Sequence, residues 1–309
     1  MTKGIGRVLW ILSDRNFLFI AAIVLGILTG SAAHRTEPWT LPALVVAMTA
    51  SMTQVESSAF RSLGKLLRAT AISVLLNYVI LGAAILIPAR LLLPERELWI
   101  GFVIAAAAPP GVGVIPFTHI TGGDVGFSLL GIVGTYVASL VITPAMAFLL
   151  IGENVLDPRR LAVILLQLIV VPLVASRLLL LVGPLKAPIE RWRGKIVNWA
   201  FTIVVFTIIG LNREVFFSEP RVVLLILLIT LTWSFGLGFA IDEILKRLGV
   251  ERARRMSYLL MGTVKNGGFA AATALALFGE RAAVPNGVGA AIAVPYLLWL
   301  GIRWGRKGE

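Results

Sequence analysis

Two clusters of helix-breaking residues inside apolar segments are the parts of this sequence best suited to hold a ligand. Residues 109–116 contain three prolines and two glycines, and residues 262–268 contain three glycines with Lys265 and Asn266 between them. A proline inside a helix costs about 3 kcal/mol and a glycine about 1 kcal/mol, so neither cluster is predicted to stay helical. A helix that restarts after such a break points its positive N-terminus at the gap. Together with a lysine ammonium, these ends favour a carboxylate or another small organic anion.

Lys265 is the residue that ordinary packing explains least. It stands near the middle of the apolar segment 256–278, where a lysine costs about 2.5–3.5 kcal/mol on insertion scales. Snorkelling suits residues near the ends of a span, which explains Arg177 but not Lys265. We therefore expect Lys265 to need a polar partner or an aqueous cavity. Asn77 is a candidate partner, although a single Asn inside a span often makes only a packing hydrogen bond.

The composition predicts that membrane helices position these residues. Of the 309 residues, 58% are hydrophobic and 14% are charged, and the mean hydropathy is +0.91. A soluble domain has about 45–50% apolar and about 25% charged residues, so we expect an all-α integral membrane protein. The absence of cysteine excludes disulfides and thiolate metal sites, and two histidines are too few for a multi-histidine site. We expect no metal, no cofactor and, without a recognisable catalytic motif, no enzymatic activity.

Ten apolar segments are predicted to span the bilayer, since a span needs about 20 mostly apolar residues. In chain order they are 17–33, 40–54, 69–88, 98–121, 125–151, 161–182, 196–211, 222–244, 256–278 and 282–302. The second and the seventh are short for a span.

The basic residues predict the orientation of these spans. Of the 28 Lys and Arg residues, 18 lie at the termini and in the loops after spans 2, 6 and 8, and 8 lie in the remaining loops. Cytoplasmic loops carry the basic excess, so both termini are predicted to be cytoplasmic, in a multi-pass protein of a bacterial-type inner membrane. The net charge of +12 then reflects topology and contact with the lipid bilayer, and no nucleic-acid partner is expected.

The ten segments divide into two halves of five, residues 1–151 and 161–302. Equivalent segments start 144–158 residues apart, and an odd number per half makes the second repeat inverted. The helix breakers interrupt the fourth segment of each half, and Pro110 and Gly267 are 157 residues apart. Spans 4 and 9 are therefore predicted to be discontinuous and to cross near the midplane. The alternative for the breaks is a pair of proline kinks that only adjust packing. The alternative for the repeat is that any chain of ten helices can be divided into two halves of five.

Both breaker motifs resemble those of the bile acid:sodium symporter family. The first motif is Pro-Pro-Gly-Val-Gly at 109–113, continuing through 117–119 and 122–125 to Ser128, and the second is Lys-Asn-Gly-Gly at 265–268 before an alanine-rich stretch. The resemblance implies a panel of spans 1, 2, 6 and 7, a core of spans 3–5 and 8–10, and a substrate cavity between them. It implies these substrate-binding residues: Pro110, Gly111, Val112, Gly113, Thr263, Lys265, Asn266, Gly267 and Gly268.

The resemblance does not extend to the positions at which sodium-coupled members of the family bind the ion. Those members use Ser, Asn, Thr, Glu and Gln side chains, whereas this chain has Val114, Ile115, Ser128, Ile132, Met261 and Lys265 there. Valine, isoleucine and methionine supply no oxygen ligands, so sodium coupling at the usual sites is not expected.

These observations lead to one main hypothesis and one alternative. The main hypothesis is a secondary transporter that moves a small or amphipathic organic anion by alternating access. Lys265 replaces a sodium ion, and Asn77 accepts a hydrogen bond from it. A lysine that releases its proton during the cycle would couple transport to protons, whereas one that stays charged would give a uniporter or an exchanger. The alternative is an ion exchanger or a channel with the same fold plan.

Overall fold

The protein is described here by a computed structural model that covers residues 14–54, 62–111, 113–152, 154 and 157–305. Over these residues the regular structure is helical, and one isolated antiparallel bridge joins Pro110 to Lys265. Short helical turns connect several of the longer helices. The longer helices are α1 Arg15–Leu28, α2 Thr40–Met52, α3 Leu63–Leu92, α4 Arg96–Ala107, α5 Val114–Thr121, α6 Val125–Ile151, α7 Pro158–Leu181, α8 Lys186–Leu211, α9 Pro220–Arg247, α10 Arg252–Met261, α11 Gly267–Phe278 and α12 Glu280–Trp304.

Each predicted apolar segment coincides with one helix or with a pair of half-helices. Segment 98–121 is divided into α4 and α5, and segment 256–278 is divided into α10 and α11. Both breaks fall at the predicted proline and glycine clusters. Helix α8 differs most from its prediction, because it begins at Lys186 and its first turns carry the charged residues that the sequence places in a loop. Hydropathy marks where a helix enters lipid, and it does not mark where the helix begins.

Six of the described helices are long and apolar enough to cross a membrane by themselves, namely α3, α6, α7, α8, α9 and α12. The count becomes seven if α1 and the stretch Gly30–Met52, which bends away from it by 100°, form one span. Several apolar helices of this length support a multi-pass membrane protein. The predicted number of ten spans is larger because it counts each pair of half-helices, and also α1 and α2, as complete spans.

Two groups of helices pack around the crossing of the breaks. In the first group, α8 packs along α1 and α2, and α7 packs on α2. In the second group, α3 packs on α6, and α4 contacts α3, α6, α11 and α12. Small residues permit this close approach: a Cβ atom on Gly101 of α4 would lie 2.2 Å from the carbonyl oxygen of Ala282.

Three helices contain a π-helical stretch, at Leu75–Ile80 in α3, Leu166–Val170 in α7 and Thr232–Gly236 in α9. Such stretches often stand at functional sites because they redirect side chains from the regular helical face. The stretch in α3 contains Asn77 and Tyr78, which face the crossing of the two breaks.

Candidate functional site

The two unwound segments bond to each other where they cross. The backbone N–H of Gly111 donates to the carbonyl of Val264 at 3.0 Å, and that of Asn266 donates to the carbonyl of Pro109 at 2.9 Å. These bonds form the isolated bridge around Pro110 and Lys265. Backbone polar groups at membrane depth need partners within the protein, and each break supplies partners to the other.

The ammonium of Lys265 lies at the C-terminal end of α4. Its Nζ atom donates to Oδ1 of Asn77 at 2.8 Å and to the carbonyls of Ala106 and Ala108 at 2.6 and 2.8 Å. It also lies 4.7 Å from the centre of the Tyr78 ring. An ammonium has three N–H donors, and these three acceptors use all of them. A helix C-terminus carries a partial negative charge, so the cation is favoured at this position.

Asn77 connects Lys265 to the other break. Its Oδ1 atom accepts from Lys265, while its Nδ2 atom donates to the carbonyl of Met261 at 3.1 Å, at the C-terminal end of α10. The C-terminal ends of α4 and α10, one at each break, are thus linked through the Lys265 ammonium and the Asn77 amide. The sequence identified this pair of side chains, and the structure places them in contact.

Every carbonyl of residues 106–110 has a hydrogen-bond partner. The Lys265 ammonium donates to the carbonyls of residues 106 and 108, and the Thr143 hydroxyl donates to that of residue 107 at 2.7 Å. The backbone N–H of Asn266 donates to that of residue 109. The hydroxyl of Tyr136 donates to the carbonyl of Pro110 at 3.0 Å. The carbonyls at the end of α4 and at the two prolines are therefore all bonded, which a proline kink that merely adjusts packing would not need.

Tyr136, which sequence reasoning missed, joins the first break to the start of α11. Its hydroxyl accepts from Nδ2 of Asn266 at 2.8 Å while it donates to Pro110. Oδ1 of the same Asn266 caps α11 by accepting from the backbone N–H of Phe269 at 3.0 Å. A tyrosine in an apolar helix gives no sequence signal of such a role.

A cavity of about 650 Å³ lies beside the crossing, between α1, α2 and α8 on one side and the two breaks, α9 and α12 on the other. Its lining includes seven of the predicted substrate residues: Gly111, Gly113, Thr263, Lys265, Asn266, Gly267 and Gly268. Of the other two, Pro110 is buried outside this lining and Val112 lies outside the described residues. Lys265 lines the cavity, while its ammonium donates hydrogen bonds to oxygen atoms of the protein, including the carbonyl of Ala106.

The cavity wall opposite the breaks is partly apolar, and two charged residues lie at one end of it. Phe19 and Ile23 of α1 and Phe201 of α8 form part of the apolar wall. Glu190 and Arg193, on the first turns of α8, line the cavity at one end of that helix. Phe19, Ile23 and Phe201 were not predicted as cavity residues, because an apolar side chain that faces a cavity has the same hydropathy as one that faces lipid.

Comparison with known families gives one match. The sequence model described as the Sodium Bile acid symporter family matches residues 41–219, which is more than half of the chain. The chain belongs to this family. The match includes the first break and ends before the second. A search among curated proteins finds no match.

Membership in the sodium bile acid symporter family identifies the protein as a multi-pass membrane transporter of that type, and family members are transporters rather than enzymes. In this family member four of the positions predicted to replace sodium ligands are apolar and buried. Val114, Ile115, Ile132 and Met261 all belong to the main buried apolar cluster. Ser128, the hydroxyl among these positions, accepts a hydrogen bond from Oγ1 of Thr118 at 3.0 Å.

Proposed function

We propose that this transporter moves a small or amphipathic organic anion across a bacterial-type inner membrane by alternating access, without sodium at the sites its relatives use. The observation that carries the proposal is the position of the Lys265 ammonium. Three oxygen atoms surround it at 2.6–2.8 Å, two of them carbonyls at the end of α4. A lysine there supplies, as part of the chain, the positive charge that a bound sodium ion would otherwise bring.

The breaks and the cavity support the choice of an anion as substrate. Helix α11 begins at the cavity, with Asn266 as its cap and Gly267 exposed, so its positive N-terminus faces the ligand space. Phe19, Ile23 and Phe201 offer an apolar surface opposite. A volume of about 650 Å³ falls within the range of about 300–1,000 Å³ that is typical of small-molecule sites. An anionic head on the breaks and an apolar body on α1 and α8 would use both surfaces.

The proposal includes ten spans in two inverted repeats, residues 1–151 and 161–302, with panel spans 1, 2, 6 and 7 rocking against core spans 3–5 and 8–10. Two features support the repeat. The breaks occur in the fourth segment of each half, and the π-helical stretches of α3 and α9 begin at Leu75 and Thr232, 157 residues apart. The cavity is lined from α1, α2 and α8, which this proposal assigns to the panel, and from the breaks, α9 and α12, which it assigns to the core; its residues Glu190 and Arg193 belong to a predicted cytoplasmic connection.

A ligand-stabilisation screen tests the substrate and the coupling together. The purified full chain is melted with a panel of organic anions, with and without sodium, and at several pH values. We expect at least one anion to raise the melting temperature equally in sodium-containing and sodium-free buffer. Uptake into proteoliposomes with that anion then separates proton-coupled transport, which a pH gradient drives, from uniport or exchange. Uptake that needs a sodium gradient would refute the proposal.

The Lys265→Gln variant tests the role of the lysine, with Lys246→Gln, an exposed lysine at the end of α9, as the matched control. Removal of the ammonium leaves the carbonyls of Ala106 and Ala108 without their donor. An unsatisfied buried polar group costs about 1–3 kcal/mol, so we expect uptake to fall about tenfold or more in K265Q and to stay unchanged in K246Q. Unchanged anion binding and uptake in K265Q would show that the lysine is dispensable.

A further inference from the structure

A cluster of potential metal ligands lies outside the cavity lining, where the α1–α2 connection meets the start of α12. We propose that His34, Glu37 and Glu280 form a site for a divalent cation of the zinc type, which joins the α1–α2 connection to the start of α12. One ligand atom from each side chain lies within 4.8 Å of the other two. Residues 34 and 280 are 246 positions apart in the chain, so the fold itself assembles this cluster.

The three side chains suit a first-row divalent ion. Zinc binds imidazole nitrogen at about 2.0–2.1 Å and carboxylate oxygen at about 2.0–2.2 Å in a tetrahedral arrangement, so ligand atoms of one ion stand about 3.5 Å apart. All three side chains are exposed, and their ligand atoms, which lie within 4.8 Å of one another, would have to rotate inward to this separation. Three protein ligands leave at least one coordination position for water.

The charges at this cluster favour a cation. In the described part of the chain, neither Glu37 nor Glu280 forms an ion pair with a lysine or arginine. Arg281, the neighbour of Glu280, directs its guanidinium to Glu95 and Glu219 at 2.6–2.7 Å. Two carboxylates that approach each other without a counter-charge repel, and a divalent ion between them removes that repulsion.

A buried hydroxyl shares a crevice with Glu37, one of the three ligands, while His34 and Glu280 do not line that crevice. Thr40 is 1% exposed, and its Oγ1 atom has no hydrogen-bond partner among the described residues. Thr40 and Glu37 both line a crevice of about 220 Å³ between the start of α2 and α11. Buried polar atoms without partners are rare, and water carried by a bound ion is a partner that would satisfy this one.

The position of the site suggests what the ion would do to transport. Thr36, two residues from His34, shares a hydrogen bond of 2.6 Å with Thr207 near the C-terminal end of α8, whereas Glu190 and Arg193 line the cavity near the N-terminal end of that helix. An ion that ties the α1–α2 connection to α12 would hold panel and core together at this end of the molecule. This consequence rests on the proposed alternating access, whereas binding of the ion does not.

Thermal melting of the full-length protein with ZnCl₂ in a non-chelating buffer tests the site. We expect zinc to raise the melting temperature of the wild type, and EDTA to reverse the shift. The shift should disappear in His34→Ala and Glu280→Gln. It should persist in His119→Ala, which removes the other histidine, and in Glu97→Gln, which removes an exposed glutamate at the start of α4. No shift in the wild type, or an equal shift in H34A and E280Q, would overturn the proposal.

Two further measurements keep the test independent of how well the variants fold. X-ray absorption at the zinc edge of the wild type should show nitrogen and oxygen neighbours at about 2.0–2.2 Å, and a fully hydrated ion would refute the site. External ZnCl₂ should slow uptake by the wild type and not by H34A. If zinc binds at these residues and does not slow uptake, the effect on alternating access is refuted but the metal site is not. If the protein transports its anion and zinc does not bind, the metal site is refuted but the proposed transport function is not.

Discussion

At the scale of single residues, both basic side chains inside predicted spans bond to the end of a helix. Lys265 donates to carbonyls at the end of α4, and Arg177 of α7 donates through Nη2 to the carbonyl of Met52 at the end of α2. A helix C-terminus carries about half a negative charge, which is costly in a medium of low dielectric constant. Each cation therefore sits where the backbone has concentrated negative charge. For Lys265, that charge lies at the crossing itself.

The hydroxyl of Tyr136 is expected to hold the crossing in register. Tyr136→Phe removes the donor to Pro110 and the acceptor for Asn266 while keeping the ring in place. We expect a loss of about 1–2 kcal/mol in stability, and weaker anion binding because Asn266 also caps α11. Thermal melting and the anion-induced shift measure both effects. Tyr258→Phe is the control, since the hydroxyl of Tyr258 has no hydrogen bond among the described residues and its ring packs on Phe127. Equal effects in Y136F and Y258F would contradict this role.

The sequence predicted some of these residues and could not predict others. Lys265 and Asn77 stood out because a polar group in an apolar span is costly and needs an explanation. Tyr136 and Thr143 did not, because hydroxyl-bearing side chains commonly pack within membrane helices. Their partners lie 26 to 130 positions away, and single-sequence patterns contain no information on such pairs.

At the scale of elements, the breaks were predictable because their cause is local. Proline and glycine disfavour helix wherever they stand, so 108–113 and 262–266 interrupt the helices as expected. The number of spans is harder to establish. The half-helices α4, α5, α10 and α11 have 8 to 12 residues each, which is too short to cross a bilayer alone. Only α4 together with α5, and α10 together with α11, reach the length of a span.

A glycine at the start of α11 sets how closely this helix approaches α8. A Cβ atom on Gly268 would lie 2.6 Å from Cε1 of Phe201, whereas one on Gly267 would have no atom within 4 Å. We therefore expect Gly268→Ala to lower the melting temperature and Gly267→Ala to leave it unchanged or slightly higher, since alanine favours helix. Phe201→Leu in the Gly268→Ala background should recover most of the loss. A Gly268→Ala protein as stable as the wild type would mean that the two helices separate freely.

Three helices begin at a shared ion-pair cluster. Arg281 at the start of α12 bonds to Glu95 before α4 and to Glu219 before α9, at 2.6–2.7 Å. The hydrogen bonds from Arg281 lower the pKa of Glu219 below its ordinary value of 4.5. The folded protein therefore holds this proton less tightly than the unfolded chain, and the contribution of Glu219 is lost as the pH falls from about 4.5 through the lowered pKa.

Acid should accordingly destabilise the wild type more than a Glu219→Gln variant. The Glu219 side chain is 36% exposed, so solvent limits the effect to less than about 1 kcal/mol. Melting curves between pH 7 and pH 3.5 measure it as a smaller decrease for E219Q than for the wild type. Glu214→Gln, an exposed glutamate with no ion pair in the described region, should follow the wild type. Parallel curves for all three proteins would show that the cluster contributes nothing measurable.

At the scale of the whole molecule, many polar side chains are buried and apolar side chains cover much of the surface. Asn77, Ser128, Thr135 and Asn266 are buried, while Ile20, Leu28 and many other large apolar residues are exposed. This reverses the usual order of a soluble protein and suits a lipid surround. The same arrangement limits what hydropathy can predict, because it identifies helices that enter lipid but not which of their faces line the cavity.

The asymmetric distribution of basic residues predicts the topology, and a chain without cysteine makes the test direct. Single cysteines at Arg159, Lys195, Glu214 and Lys246 probe four consecutive loops of the predicted topology, and each of these side chains is exposed. If both termini are cytoplasmic, a membrane-impermeant maleimide should label the cysteines at 159 and 214 in intact cells. Those at 195 and 246 should react only in inverted vesicles or after permeabilisation. Because consecutive connections must alternate, the pattern tests the spans one by one: two adjacent positions that label from the same side would remove one predicted span, and a reversed pattern would invert the protein in the membrane.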